Sequence, residues 1–160
     1  MKFKAIIISL LLPLNFSSNT YNNPNLLKAT YEIPKDIHTL NKHTLYVALL
    51  DSGILHPDVV FAQAMLETGY LKSSLSRNNN NLFGLYNSRR GEFFKFNHWR
   101  ESISAYKKYI EVKYTPPIDY LVFLDTMGYA EDPNYISKVQ TIMNRHEDDN
   151  NKRRSDYESG

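Results

Sequence analysis

FAQAMLETGYLKSSLSRNNNNLFGLY, residues Phe61 to Tyr86, is the stretch that decides how this chain folds. It sets one acid, Glu67, inside an apolar helical pattern and follows it with an Asn-rich turn. Pro57 suits a first helical position, where a missing N–H costs nothing, and Gly69 lies where a helix can end. At the helical angle, Val59, Val60, Phe61, Ala62, Ala64, Met65, Leu66 and Tyr70 cover nearly the whole circumference. Gln63 and Glu67 remain as a narrow polar strip one turn apart. A helix patterned this way is central and buried. Desolvation disfavours an ionised carboxylate, so Glu67 is expected to hold its proton near neutrality, as a general acid must. An acid at the exposed end of a core helix, or one paired with a Lys or Arg, fits the same pattern.

Outward from this helix, Leu40 to Ser52 reads as a preceding helix, with Gly53 and His56-Pro57 as the break. Asn78 to Asn81 reads as a turn. Phe83 to Tyr86 and Phe93 to Phe96 are short β-prone runs separated by Asn87, Ser88 and Gly91, which predicts a small hairpin. Trp99, Ile103, Tyr106 and Ile110 repeat at helical spacing, and Pro116 and Pro117 end that helix. A further helix spans Ile118 to Met127. After Gly128, Asp132 is a natural N-cap before Pro133, and Tyr135, Val139 and Ile142 form the buried stripe of the last helix. Five helices and one hairpin make a mostly α, α+β domain.

Three ordered runs carry a resemblance: AQAMLETG at Ala62 to Gly69, NNLFG at Asn80 to Gly84, and YAEDPNY at Tyr129 to Tyr135. With FFKFNHWRES at Phe93 to Ser102, they are similar to the motifs of bacterial N-acetylglucosaminidase domains of glycoside hydrolase family 73, the autolysin and flagellar-rod type. The resemblance covers Leu40 to Arg145. It implies a lysozyme-like fold with a cleft between a helical body and the hairpin. The implied activity is cleavage of the β-1,4 bond after N-acetylglucosamine in peptidoglycan glycan strands. Glu67 is the implied general acid and Tyr129 the active-site tyrosine, with Gln63, Asn80, Asn81, Phe83, Gly84, Tyr86 and Trp99 as cleft-lining candidates. Read without the resemblance, Asn80, Asn81 and Gly84 are turn formers, Phe83, Tyr86 and Trp99 are core, and Asp132 is a helix cap rather than an acid catalyst.

The chain departs from the family at the hairpin. Many members carry a longer insertion there that holds a second catalytic carboxylate, whereas this connection is only Asn87 to Glu92. Glu92 is the nearest acid, so the second role belongs either to Glu92 or to the substrate's own 2-acetamido group. A lysozyme or lytic-transglycosylase outcome at the neighbouring bond, and a catalytically weak glycan-binding module, are the alternatives.

Composition bounds the rest. The chain has 160 residues, 42% hydrophobic and 13% aromatic, enough for one core and too short for two. Lys2 and Lys4, the apolar run Ala5 to Leu14, and the small and polar residues Asn15 to Thr20 have the layout of a secretory signal, although only Ser18 and Thr20 mark a cut site. The apolar run is too short to span a bilayer, and with no Cys there is no lipoprotein anchor, disulfide or thiolate chemistry. A mature chain without Lys2 and Lys4 has 17 bases against 17 acids, which argues against nucleic acid as a partner. The five His, at positions 38, 43, 56, 98 and 146, lack ligand spacing, so no metal or other cofactor is expected. The expected organisation is a signal over 1–20, a lead-in over 21–38, a glucosaminidase domain over 39–146 and a charged mobile tail over 147–160. The expected product is a monomer exported to the periplasm or cell envelope, without a membrane anchor.

Overall fold

The computed structural model describes residues 6–7 and 38–158. The expected signal and lead-in lie outside the described residues, apart from Ile6, Ile7 and His38. In chain order the elements are β1 (Ile6–Ile7), α1 (Lys42–Asp51), α2 (Pro57–Glu67), α3 (Ser74–Asn79), β2 (Leu85–Asn87) and β3 (Glu92–Phe93). They continue with α4 (Trp99–Tyr109), a 3-10 turn (Glu111–Lys113), α5 (Tyr120–Thr126) and α6 (Tyr135–Glu158). The architecture is the mostly α, α+β arrangement expected from the sequence, a helical body with a small β lobe.

α2 is the axis of the body. Pro57 opens it, and Val59 through Met65 are all buried, so no side of this stretch faces water. α6 packs along it through Val139 and Ile142, and Ile103, Tyr106 and Ile110 of α4 belong to the same core. α1 is fixed by a reciprocal cap in which Asn41 accepts from the Thr44 N–H and Thr44 accepts from the Asn41 N–H, both at 2.9 Å.

Beyond α2 the chain reverses over Gly69, Tyr70 and Leu71, all with left-handed backbone. Two of these carry side chains that disfavour the conformation. Buried Thr68 holds them there: its hydroxyl donates to the Ala64 carbonyl at 2.6 Å and accepts the Leu71 N–H at 2.8 Å, while its own carbonyl takes the N–H groups of Lys72 and Ser73.

The structure adds a sixth α-helix where the sequence reads only a turn. Ser73 accepts the Ser76 N–H and starts α3, and Asn80 stops it in the left-handed conformation, φ 51°. α4 ends at Tyr109 rather than at the prolines, because the 3-10 turn intervenes. Asp119 moves the start of α5 to Tyr120 by accepting the Leu121 and Val122 N–H groups. Asp132 opens the turn into α6, where its Oδ1 accepts the Asn134 N–H and its carboxylate pairs with Lys138. α6 then runs unbroken to Glu158 through the stretch that composition reads as a tail.

In the β lobe, β2 pairs antiparallel with β3, Tyr86 opposite Phe93 and Asn87 opposite Glu92, and β1 pairs parallel with β2. The lobe is pinned by Asn81, which is fully buried. Its Oδ1 accepts the Leu85 N–H at 3.0 Å, and its Nδ2 donates to the carbonyls of Leu85 at 2.8 Å and Phe94 at 3.0 Å. One side chain therefore ties both hairpin strands to the body. Asn81→Ala leaves a buried amide without its acceptor and is expected to cost about 2 kcal/mol, a fall of roughly 5–10 °C in Tm by calorimetry.

Candidate active site

Glu67 closes α2, one turn beyond Gln63, and sits where the helical body meets the β lobe. Gly84 touches it from the lobe: a Cβ built on Gly84 would lie 3.2 Å from Glu67 Oε2, and the Gly84 backbone is left-handed at φ +62°. Both the close approach and the backbone call for glycine, so NNLFG delivers bare main chain to the carboxyl. Burial pushes the Glu67 pKa up to about 7, and a hydrogen bond from the Tyr135 hydroxyl holds it from rising further. The acid is thus poised to hold or release a proton at neutral pH.

A buried polar chain stands behind it. The Tyr106 hydroxyl donates to Gln63 Oε1 at 2.6 Å and lies 2.9 Å from the Tyr120 hydroxyl. Gln63 Nε2 in turn donates to the Tyr135 hydroxyl at 3.2 Å. Tyr135 stacks on Tyr129, ring centroids 5.4 Å apart. Burial raises the pKa of each of these four tyrosines, so all are neutral hydroxyls at physiological pH.

The remaining sequence candidates divide by burial. Gln63 is fully buried with both polar ends bonded to tyrosines. Asn81, Phe83 and Trp99 are likewise core. Phe83 packs on Tyr106 at 4.7 Å, and the Trp99 indole donates to the His38 carbonyl at 2.8 Å, so all three are buried as the turn and core readings have them. Asn80 lies at the lobe's edge with its amide donating to the carbonyls of Phe96 and Asn97. Tyr86 is half-buried, edge-on to Phe93 at 5.3 Å.

Tyr129 lies close enough to Glu67 for the carboxyl to raise its pKa, yet it is buried and its hydroxyl donates to the Phe83 carbonyl at 3.1 Å. That bond clamps the peptide leading into Gly84. Glu92 is exposed at the far end of the hairpin, 3.9 Å from Arg90. Its strand partner Asn87 is the third residue after Gly84, roughly 10 Å along the chain.

Sequence reasoning assigned Tyr106 and Tyr135 only to buried stripes. The available signal was chemical: a tyrosine on a buried stripe needs a partner for its hydroxyl, and the Gln63–Glu67 strip was the polar surface waiting for one.

Among the described residues, no group of three or more His, Asp or Glu could hold a metal ion, and no helix is long and apolar enough to cross a membrane. A separate groove of about 780 Å³ lies between α1, α2 and α6, lined by Tyr46, Phe61, Met65, Arg145 and His146 among others; Phe61 and Met65 project from α2 away from Glu67.

The sequence is 23% identical over 188 aligned positions to Exo-glucosaminidase LytG of Bacillus subtilis (strain 168), a match spanning 92% of this chain and 67% of that protein. No solved structure matches. Residues 42–148, which contain Glu67, Gly84 and the whole tyrosine network, match the Glucosaminidase family, described as mannosyl-glycoprotein endo-beta-N-acetylglucosaminidase. The chain belongs to this family of glycoside hydrolases.

Proposed function

We propose that the protein is an exported peptidoglycan hydrolase that cleaves the β-1,4 bond after N-acetylglucosamine, with Glu67 as general acid. The observation that carries this reading is a carboxyl with a pKa of about 7 set against the bare backbone of Gly84, between the helical body and the β lobe. Glu67 gives its proton to the glycosidic oxygen as the bond from that oxygen to the anomeric carbon breaks. The carbonyl oxygen of the substrate's 2-acetamido group bonds to the anomeric carbon, forming an oxazoline-type intermediate. Glu67, now ionised, takes a proton from the water that opens it. This route suits Glu92, which lies exposed and ion-paired at the hairpin's end and stays outside the chemistry. Tyr129 clamps the Phe83–Gly84 peptide against Glu67, and Tyr86 offers a half-buried ring on the lobe for stacking on a sugar face.

Glu67→Gln is nearly isosteric and has no acidic proton. Release of soluble fragments from purified sacculi should fall at least 1,000-fold, while Glu92→Gln should stay within about threefold of the parent. Equal losses at the two positions would assign Glu92 the base or nucleophile role, and an active Glu67→Gln would remove the central assignment.

The same substitution has a signature in stability. The folded-state pKa lies above the ordinary 4.5, so the folded protein binds more protons than the unfolded chain between pH 4.5 and about 7. The parent's stability from this group is full below the lower value and is lost as pH rises through the upper one. A rise from 4.5 to about 7 is worth up to about 3 kcal/mol. Glu67→Gln should therefore gain stability relative to the parent across that window and hold the gain above pH 7, as read by denaturant titrations at several pH values.

Mass spectrometry of the digest checks the bond. New reducing ends on N-acetylglucosamine are expected. Reducing N-acetylmuramic acid or anhydro ends would mean lysozyme or lytic-transglycosylase action, and sacculus binding without soluble product would mean a binding module.

A further inference from the structure

The groove between α1, α2 and α6 is a cavity that the chemistry at Glu67 leaves unused. Phe61 and Met65, one turn apart on α2, line its floor with Tyr46 of α1 and Ile142 of α6. Phe61 stacks on His146 at 4.1 Å, and Tyr46 meets both rings edge-on. Around this floor stand three exposed cations, Lys42, Arg145 and Lys152. Arg145, Asp149, Lys152 and Asp156 recur every three or four residues and so share one stripe of α6, whose continuation to Glu158 carries Lys152 to the groove. The acids of that stripe already have partners, so the charge offered to a ligand is positive. The groove reaches the acid's end of α2 through Tyr70, three residues beyond Glu67. Tyr70 is 44% exposed, and the Lys42 ammonium lies 5.5 Å from its ring centroid. Its backbone is left-handed at φ 60°, a conformation that glycine adopts freely and tyrosine only at a cost.

We propose that this groove holds the acidic peptide branch of the glycan substrate, with a carboxylate of the branch on Lys42, Arg145 and Lys152 and its apolar side chains against the Tyr70 ring. This rests on the reading of the substrate as peptidoglycan, whose glycan strands carry carboxylate-bearing peptides. Phe61 and Met65 leave α2 on the face opposite Gln63 and Glu67, so branch and glycan lie on two sides of one helix. A helix is about 10 Å across, a distance that about three extended residues span. A branch on a sugar beside the cut bond therefore reaches the groove by passing the reversal at Gly69 and Tyr70, which Thr68 holds against the end of α2. A polymer of phosphate esters meets the same cations but has little apolar surface to lay on the ring. Cations, exposed ring and apolar floor together fit a peptide.

The test compares binding of the full-length Glu67→Gln protein to intact sacculi and to glycan strands freed of peptide by an amidase. Intact sacculi should bind about tenfold more tightly than bare strands. Tyr70→Gly, and Arg145→Gln together with Lys152→Gln, each added to Glu67→Gln, should lose most of that preference. The loss of the two charges should also weaken its salt dependence. Tyr70→Gly should hold the melting temperature at or above that of Glu67→Gln, because glycine takes the left-handed backbone without strain, which separates recognition from folding. Equal binding of the two materials, or a preference that survives both changes, would overturn the proposal. A preference that disappears when phosphate polymers rather than peptides are stripped from the sacculi rules out the peptide and gives the groove to those polymers. If Tyr70→Gly does not fold, the exposed Arg145 and Lys152 decide. None of these results depends on the role of Glu67, whose failure as the acid shows instead as digestion of sacculi by Glu67→Gln.

Discussion

A carboxyl at the end of a helix that has no wet side is the constraint around which this protein is arranged. α2 is buried over Val59 to Met65, so the chain carries Glu67 out of the core to its margin, where the residue is half-buried. Water is replaced on one side by the Tyr135 hydroxyl and on the other by the glycine backbone of the β lobe. Partial compensation is what tunes the group. A full set of donors would hold it ionised, and none would hold it protonated beyond use.

The cost of this arrangement is spread over the surrounding structure. Gln63 at the centre of α2 would be a liability in an apolar core, yet both ends of its amide are satisfied by hydroxyls from α4 and α6. The left-handed run after α2 is held by the single hydroxyl and carbonyl of Thr68, which lets the chain leave the acid abruptly instead of covering it. Tyr129 and Asn81 fix the approach of Phe83–Gly84 from opposite ends of the same short peptide. Left-handed backbone and buried polar side chains concentrate around Glu67.

Much of this was legible in the sequence because it is local. The polar strip of Gln63 and Glu67, the helix start at Pro57, the reversal at Gly69 and the hairpin all follow from spacings of a few residues. The positions of Tyr106 and Tyr135 on buried stripes were legible too, but their chemistry was not, because Gln63 meets them across 43 and 72 residues of chain. α3 was missed because Asn-rich stretches read as turns, and six residues capped by Ser73 carry no apolar period. The passage of α6 through the charged segment at 147–158 was hidden for a related reason: composition reports solvation, and a solvated helix and a solvated tail share it. Asn81, Phe83 and Trp99 were readable as turn and core residues, and all three are buried.

The way the hairpin is fastened also bears on how such enzymes diversify. Asn80 and Asn81 grip it only at its base, through the backbone of Leu85, Phe94, Phe96 and Asn97, while the Asn87–Gly91 turn is closed by its own local bonds and faces solvent. Residues added at that tip leave strand register and the seat of Gly84 untouched. The lobe can therefore lengthen, shorten or gain new side chains as an independent module while the surroundings of Glu67 stay as they are.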